Sequence, residues 1–276
     1  MRIDSHHHFW NYSPEQYGWI GPEMDVLRRD FGPADLLREI QAVGVEGVVS
    51  VQARQSIDET QWLLETASQH DIIRGVVGWL PLMDRDLRAE LERFSQYPQL
   101  KAVRHVVQDE ADDAFLLGSD FNRGVGLLKE FELVYDILIY AKHLPNTVRF
   151  VDRHPEQSFV LDHIAKPTIR GGQFDQRWAT DLKELSKRLH VTCKFSALVT
   201  EVRDRQWSVD LLRPYWETAL EAFGPQRLMF GSDWPVCLLR SDYARWIAAV
   251  EELTTGLSPV EQDALWSQTA IGTYRL

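Results

Sequence analysis

Short apolar segments rich in β-branched residues alternate with longer amphipathic segments along almost the whole chain, and this alternation limits the possible folds most strongly. Runs such as GVVSV (47–51) and RGVVGWL (74–80) are typical of strands buried on both faces of a parallel sheet. The predicted strands cover residues 2–6, 45–52, 72–80, 100–107, 133–140, 158–166, 191–198 and 227–233. The predicted helices cover residues 33–43, 58–70, 84–97, 120–132, 144–154, 174–189, 208–223 and 243–253.

Eight strand–helix units in 276 residues predict a (β/α)8 TIM barrel of the α/β class, a single domain that spans residues 1–276. No low-complexity stretch, linker or abrupt change of charge marks a domain boundary. A doubly wound open sheet is the alternative, but the glycine-rich turns that its nucleotide sites use do not occur in this chain. Chemistry in a barrel lies at the carboxyl ends of the strands, so the residues there are the first candidates for a functional site.

The composition disfavours several classes of partner. A formal net charge of -11 repels phosphate backbones and anionic lipids, so we expect no nucleic-acid and no membrane partner. Cys193 and Cys237 lie far apart without metal-type spacing, as is typical of a reducing compartment. No signal peptide and no apolar run of membrane length is visible, which predicts a cytoplasmic protein. The expected partner is a small molecule, and assembly into a homo-oligomer is left open.

Three consecutive histidines end the first predicted strand. Because side chains alternate along a strand, His6 and His8 share one face and His7 points to the other. Two imidazoles two residues apart can hold a divalent metal or contact a substrate oxygen. The remnant of an affinity tag is the alternative, but such tags are usually longer and are not set between an apolar strand and Phe9-Trp10.

Charged and aromatic residues also end the fourth, fifth and sixth predicted strands. Arg104 is a cation within an apolar run, where it suits a carboxylate or a lactone carbonyl, and a structural ion pair is the alternative. His105 follows directly, so only one of the two side chains faces the barrel mouth. Tyr140 offers a hydroxyl to a substrate or caps the barrel. Asp162 and His163 interrupt an apolar strand, which is costly unless the pair is satisfied by partners or functional.

The last two predicted strands end in small and polar residues. The seventh contributes Lys194 and Ser196, and Glu201 follows it. The eighth ends in Asp233, after a Gly-Ser turn and shortly before a proline. A carboxylate at this position can serve as a general base toward water in the barrel mouth, and the alternative is an ordinary helix N-cap.

These residues together resemble the amidohydrolase superfamily, whose members are (β/α)8 barrels with HxH on the first strand and an aspartate after the eighth. The segments IDSHHHFW, KAVRHVVQDE, GSDFNRG, LDHIAKP and FGSDWPV resemble the amidohydrolase-2 type and, within it, the sugar-lactonase branch. The resemblance runs from Ile3 to the last helix. It implies hydrolysis of L-fucono-1,5-lactone or a related aldonolactone in sugar catabolism, with L-rhamnono- and galactaro-lactones as close alternatives. A dicarboxylate-lactone hydrolase, a decarboxylase and a sugar-binding barrel without activity are the rival functions.

The resemblance also implies roles for individual residues. Asp233 would be the general base, and His163 and Arg104 would polarise the carbonyl. The residues expected to contact the sugar are Trp10, Tyr140, Lys194, Ser196 and His105. Strand four lacks the lysine or glutamate that bridges two metals in many superfamily members, so the resemblance implies one divalent ion, with zinc expected, held by His6, His8 and Asp233. Some members of the branch work without metal, so the need for this ion is left open.

Overall fold

A computed structural model describes residues 1–276 and contains eight parallel strands that are neighbours in the order in which they occur along the chain. The strands are β1 Ile3–His7, β2 Gly47–Val51, β3 Ile73–Gly78, β4 Leu100–Val106, β5 Val134–Leu138, β6 Phe159–Leu161, β7 Val191–Phe195 and β8 Leu228–Phe230. The segment after β8 returns to β1, where Asp233 N donates to His6 O over 2.8 Å and His8 N donates to Trp234 O over 2.7 Å. The predicted (β/α)8 barrel is confirmed.

Helices follow the strands, as the alternation predicts. They are α1 Pro33–Gln41, α2 Ile57–Gln69, α3 Leu87–Phe94, α4 Ser119–Leu128, α5 Leu144–Asp152, α6 Gln176–Leu185, α7 Leu198–Glu201, α8 Val209–Phe223, α9 Tyr243–Leu253, α10 Pro259–Asp263 and α11 Thr269–Tyr274. The eight predicted helices all occur, but α7, α10 and α11 were not predicted. Ser258 accepts from Glu261 N and begins α10 with a capping box, a signal that the sequence carried. None of these helices combines the length and apolar composition needed to cross a bilayer.

Two apolar layers support the barrel. The larger layer packs the outward side chains of the strands against the surrounding helices. The smaller layer fills the lower barrel with residues such as Ile3, Ala102 and Met229. Ala270 and Tyr274 of α11 belong to that inner layer, so the carboxyl-terminal helix closes the barrel at the end opposite the carboxyl ends of the strands.

The sixth strand is shorter than predicted. Residues 158–166 were expected to be extended, but β6 ends at Leu161 and the chain then turns through Asp162–Ala165. His163, Ile164, Ala165 and Lys166 all have left-handed backbone, with φ of 55°, 46°, 61° and 49°. Residues other than glycine adopt this conformation at a cost of about 1–2 kcal/mol each. The apolar run that suggested a longer strand therefore belongs to a buried turn, which Trp178 Nε1 anchors by donating to Ile164 O over 2.6 Å.

Candidate active site at the carboxyl ends of the strands

A cavity of about 600 Å³ opens at the carboxyl ends of the strands. Its wall combines apolar side chains with convergent polar groups, as is typical of small-molecule sites. The polar groups that bear on the chemistry are His8, Arg104, Tyr140, His163, Lys166 and Asp233. The cavity is thus where the barrel fold predicts a functional site.

His6, His8 and Asp233 converge at the floor of this cavity, and with His163 we call them the mouth cluster. His6 Nε2 lies 3.2 Å from His8 Nε2, while Asp233 Oδ1 lies 3.2 Å from His8 Nε2 and 3.6 Å from His6 Nε2. Gly231 permits this approach, because a Cβ there would lie 2.8 Å from the His6 Cβ and 2.9 Å from that of Ser196. His6 and His8 share the inner face of the chain, as the alternation predicted.

The proton of His8 can be assigned from its partners. His8 Nδ1 lies 2.8 Å from Val51 O, and because a carbonyl can only accept, Nδ1 carries the hydrogen. In a neutral ring His8 Nε2 then presents a lone pair to the Asp233 carboxylate, which is also an acceptor, whereas in a protonated ring it donates to that carboxylate. Two acceptors 3.2 Å apart repel each other unless a cation or a proton lies between them.

The geometry of the three ligand atoms fits one divalent metal ion. Ligands about 2.0–2.2 Å from a tetrahedral ion lie roughly 3.4 Å from one another. The separations of 3.2, 3.2 and 3.6 Å among His6, His8 and Asp233 match this value. Hydrogen-bonding the far nitrogen of a ligating histidine to a carbonyl, as His8 does with Val51, is also typical of metal sites. The three residues thus form a candidate divalent-metal site.

His163 stands beside these three residues and is aimed by its unusual backbone. Its ring centroid lies 4.4 Å from that of His6, and its Nδ1 lies 2.8 Å from Ser196 Oγ. Burial lowers the pKa of His163 to about 3, although Asp233 and Asp162 act to raise it. The ring is therefore neutral near pH 7 and can present one N–H donor or one lone pair to the cavity.

Asp233 also has left-handed backbone, with φ of 58°. Burial acts to raise the pKa of its carboxyl, but His163 and His8, together with Lys166, hold that pKa below its ordinary value. The side chain is thus an ionised carboxylate at the cavity floor, and its oxygens can accept a proton from water. Strained backbone at the ends of both β6 and β8 is typical of sites whose geometry is determined by function.

Beneath the mouth cluster lies a group of four buried charged side chains and one tyrosine that we call the interior network, formed by Arg104, Asp136, Asp162, Lys194 and Tyr274. Lys194 Nζ lies 2.6 Å from Asp136 Oδ2 and 3.0 Å from Asp162 Oδ1. Tyr274 Oη donates to Asp136 Oδ2 over 2.7 Å. All of these side chains are almost fully buried, so each charge depends on its partners inside the barrel.

Arg104 connects the interior network to the cavity. Its Nη1 lies 3.0 Å from Asp162 Oδ2 and its Nη2 donates to Gln52 O over 2.5 Å. Its guanidinium also lines the cavity and comes within 3.4 Å of His6 Nε2. The two sequence-based interpretations of Arg104, a structural ion pair and a cavity cation, thus describe the same side chain.

Several expected sugar contacts lie away from the cavity. His105 points outward, where its Nε2 lies 2.7 Å from Glu110 Oε1 and its ring stacks on Phe115. Trp10 is fully buried and donates to Arg29 O over 2.9 Å. Strand alternation explains His105, since Arg104 occupies the inward position.

Lys194 and Ser196 face the barrel interior but do not line the cavity wall. Lys194 belongs to the interior network and comes within 3.2 Å of His6 Nδ1. Ser196 supports His163 from behind. Tyr140 is the expected sugar contact that does line the cavity. Of these three residues, Tyr140 thus lies at the cavity, and Lys194 and Ser196 lie beneath it.

Three further residues line the cavity that were not among the expected site residues. Trp19, from the loop after β1, lines the wall and packs its ring edge-to-face on Trp10 with centroids 5.7 Å apart. Lys166 reaches the cavity through the left-handed turn, and Glu201 reaches it from α7. Polar residues just after strands six and seven were visible, but the two turns that direct them inward were not.

Comparisons with known proteins agree with this arrangement. The family model described as amidohydrolase matches residues 3–276. A protein of Burkholderia multivorans named L-fucono-1,5-lactonase is 44% identical over 294 residues, covering 100% of this chain and 96% of that protein. A Burkholderia ambifaria protein of the same name is 34% identical over 282 residues, with 100% and 96% coverage. The crystal structure of a Burkholderia multivorans amidohydrolase with bound zinc has a TM-score of 0.94 at 42% identity, covering 100% of this chain and 99% of that chain.

Proposed function

The chain belongs to the amidohydrolase family, and we propose that it is a hydrolase that opens a sugar-acid lactone to the open-chain aldonate. Its two full-length relatives named L-fucono-1,5-lactonase support a sugar lactone as substrate. L-fucono-1,5-lactone, and with it a place in L-fucose catabolism, is the specific substrate that we propose. The cavity of about 600 Å³ is large enough for a six-carbon lactone and offers polar groups to its hydroxyls.

One observation carries this proposal: Asp233, an ionised carboxylate, lies at the floor of the cavity that His163 also lines, 3.2 Å from His8 Nε2. Hydrolysis of a lactone requires a nucleophilic water, stabilisation of the tetrahedral oxyanion and protonation of the departing ring oxygen. A buried, ionised carboxylate open to the cavity meets the first requirement as a general base. A site that only bound sugar would have no use for such a base beside water.

The reaction then follows from the positions of the side chains. Asp233 takes a proton as water attacks the carbonyl carbon, and the carbonyl oxygen becomes an oxyanion. An N–H of His163 and the guanidinium of Arg104 stabilise that oxyanion as donors in a low-dielectric site. The carbon–oxygen ring bond then breaks, and the Asp233 carboxyl returns its proton to the departing alkoxide. The product carries a carboxylate and a new hydroxyl.

We further propose zinc as the ion of the mouth cluster, since a related amidohydrolase has been crystallised with bound zinc. His6, His8 and Asp233 would hold the ion. When bound, it would supply Lewis-acid polarisation of the lactone carbonyl. Lys194 and Asp162 lie within 3.4 Å of His6 Nδ1 and would fix the orientation of this ligand.

The experiment is a pH-indicator assay of acid release from L-fucono-, L-rhamnono-, L-galactono-, D-arabinono- and D-galactaro-lactones. We expect the fastest hydrolysis with the L-fucono-lactone. A second series after dialysis against a chelator, with metal content measured in parallel, tests the proposed zinc. Absence of acid release from every lactone, with metal present and absent, would contradict the proposed function.

A further inference from the structure

The loops that follow β6 and β7 are joined to each other by backbone hydrogen bonds. Ile169 N donates to Glu201 O over 3.3 Å, and Arg203 N donates to Ile169 O over 2.8 Å. Residues 169 and 202 form a parallel bridge. This pairing joins the two loops that bring Lys166 and Glu201 to the cavity wall.

Glu201 is a carboxylate that the proposed reaction does not use. The residue is only 7% exposed, and its one side-chain partner is Arg203, whose Nη2 donates to Oε2 over 3.3 Å. The side chain of Arg203 is 47% exposed, so this partner lies toward solvent. The other carboxylate oxygen of Glu201 accepts from no protein donor and is free to accept from a molecule in the cavity.

The cations of the cavity wall differ in whether they already form an ion pair with a carboxylate of the protein. Arg104 pairs with Asp162 at 3.0 Å, and Arg54 lies 3.8 Å from Glu59. Lys166 forms no direct ion pair, and its ammonium lies 5.7 Å from the centre of the Tyr140 ring. Lys166 is therefore the one cation of this wall free to receive an anionic substrate group, and it shares the wall with Glu201.

We propose that Glu201 determines substrate class at this site, favouring lactones whose remaining groups are neutral hydroxyls over lactones that bear a carboxylate. The inference rests on the proposed lactonase function and extends it to a specificity-determining residue. The free Glu201 oxygen accepts hydrogen bonds from sugar hydroxyls, and the charge-assisted bond is the stronger kind. A carboxylate on the substrate that Lys166 attracts also meets repulsion from Glu201, because both side chains line the same cavity in paired loops.

The test compares Glu201→Gln with the wild-type chain and with Arg203→Gln. Glutamine keeps the shape of the side chain and removes its charge. Arg203→Gln removes the outer partner of Glu201 and leaves the cavity wall intact, so it reproduces any effect that arises only from a lost ion pair. Each protein is assayed with a neutral aldonolactone and with an aldaric-acid lactone, and thermal unfolding is measured for all three.

We expect Glu201→Gln to lower kcat/KM for the neutral lactone by about tenfold, mainly through KM, because neutral acceptors bind hydroxyls more weakly than charged ones. The ratio of kcat/KM for the aldaric-acid lactone to that for the neutral lactone should rise about 10- to 100-fold. Arg203→Gln should keep the wild-type ratio. An unchanged ratio in Glu201→Gln, or an equal shift in both variants, would overturn the inference.

Binding separates this inference from the proposed function. Sugar lactams, with and without an added carboxylate, resist hydrolysis and can be titrated by calorimetry. Wild-type protein that prefers the neutral lactam, with the preference reduced in Glu201→Gln, supports the role of Glu201 even if no lactone is hydrolysed. Wild-type protein that binds neither lactam, or prefers the carboxylated one, contradicts that role. The proposed hydrolysis itself is tested separately, by the lactone assay.

Discussion

The mouth cluster and the interior network lie a few ångströms apart in the barrel, yet they differ in whether their buried polar groups have complementary partners. In the mouth cluster, His8 Nε2 of a neutral ring and Asp233 Oδ1 are two acceptors that face each other at 3.2 Å. In the interior network, opposite charges meet, as between Lys194 and Asp136 at 2.6 Å. The mouth cluster therefore needs a cation or a proton to separate its two acceptors, whereas the charges of the interior network neutralise one another within the protein.

The two regions also differ in backbone conformation, which is regular in most of the interior network and strained in part of the mouth cluster. Arg104, Asp136 and Lys194 of the interior network lie on regular strands, and Arg104 and Asp136 are paired in register between β4 and β5. His163 and Asp233 of the mouth cluster have φ of 55° and 58°, which costs roughly 1–3 kcal/mol each. The contrast indicates that the interior network supplies rigidity, on which a strained and reactive arrangement is built. Changes in the mouth cluster should therefore affect rate, and changes in the interior network should affect stability.

The largest expected effect tests the mouth cluster. Asp233→Asn removes the proposed base and should lower the hydrolysis rate about 10²–10⁴-fold, because an amide cannot accept the proton of water. The rate is measured with the preferred lactone, and urea unfolding is measured in parallel. Asp210→Asn serves as the control, since Asp210 is an exposed carboxylate that does not line the cavity and its loss should leave the rate unchanged. Full activity in Asp233→Asn would contradict the proposed mechanism.

The second effect tests the interior network. Lys194→Met leaves Asp136 and Asp162 buried without their ammonium partner, which should reduce the free energy of unfolding by about 3–5 kcal/mol. Urea unfolding measures this change, and Lys183→Met provides a matched loss of a lysine that pairs at the surface. A change below about 1 kcal/mol in Lys194→Met would show that the network is not a source of stability.

The third effect concerns the contact that orients His163. Ser196→Ala removes the hydroxyl 2.8 Å from His163 Nδ1, and the loss of one hydrogen bond of about 0.5–1.5 kcal/mol corresponds to a 2- to 12-fold lower rate. Ser196→Thr keeps a hydroxyl and should retain more activity than Ser196→Ala. If both variants match the wild-type rate, the orientation of His163 does not depend on this bond.

The sequence predicted the mouth cluster better than it predicted the interior network. HxH on the first strand and an aspartate after the eighth are spaced by the fold itself, so the strand order brings them together. The turn at 163–166 was predicted as strand, because an apolar run does not reveal left-handed backbone. Lys194 was expected to contact sugar, but its charge is used by Asp136 and Asp162, which lie far from it in the sequence. Such pairing between strands depends on how deep in the barrel each side chain lies. The alternation of side chains along one strand does not predict this depth.

The last expected effect is a pH dependence that concerns Glu59, a buried carboxylate that belongs to neither region and lies behind the cavity wall. Its oxygens accept from the backbone N–H of Ala53 and of Arg54 over 2.9 Å in each case, and from Tyr17 Oη over 3.1 Å. Burial raises the pKa of Glu59 from 4.5 to about 7, although these donors act to lower it. Because Glu59 has protein partners for its buried carboxylate, as the interior network does, we expect its substitution to change the free energy of unfolding rather than the hydrolysis rate.

The pH dependence follows from the direction of that shift. Because the pKa of Glu59 is higher in the folded chain than in the unfolded chain, the folded chain binds the proton more tightly between about pH 4.5 and 7. The stability that this group contributes is present below pH 4.5 and is lost as the pH rises to about 7. We therefore expect the difference in unfolding free energy between the wild type and Glu59→Gln to fall across this window, by on the order of 1–3 kcal/mol. Glu65→Gln, on the exposed face of the same helix, should show no such trend, and a constant difference for Glu59→Gln would mean that the buried carboxylate does not titrate in this range.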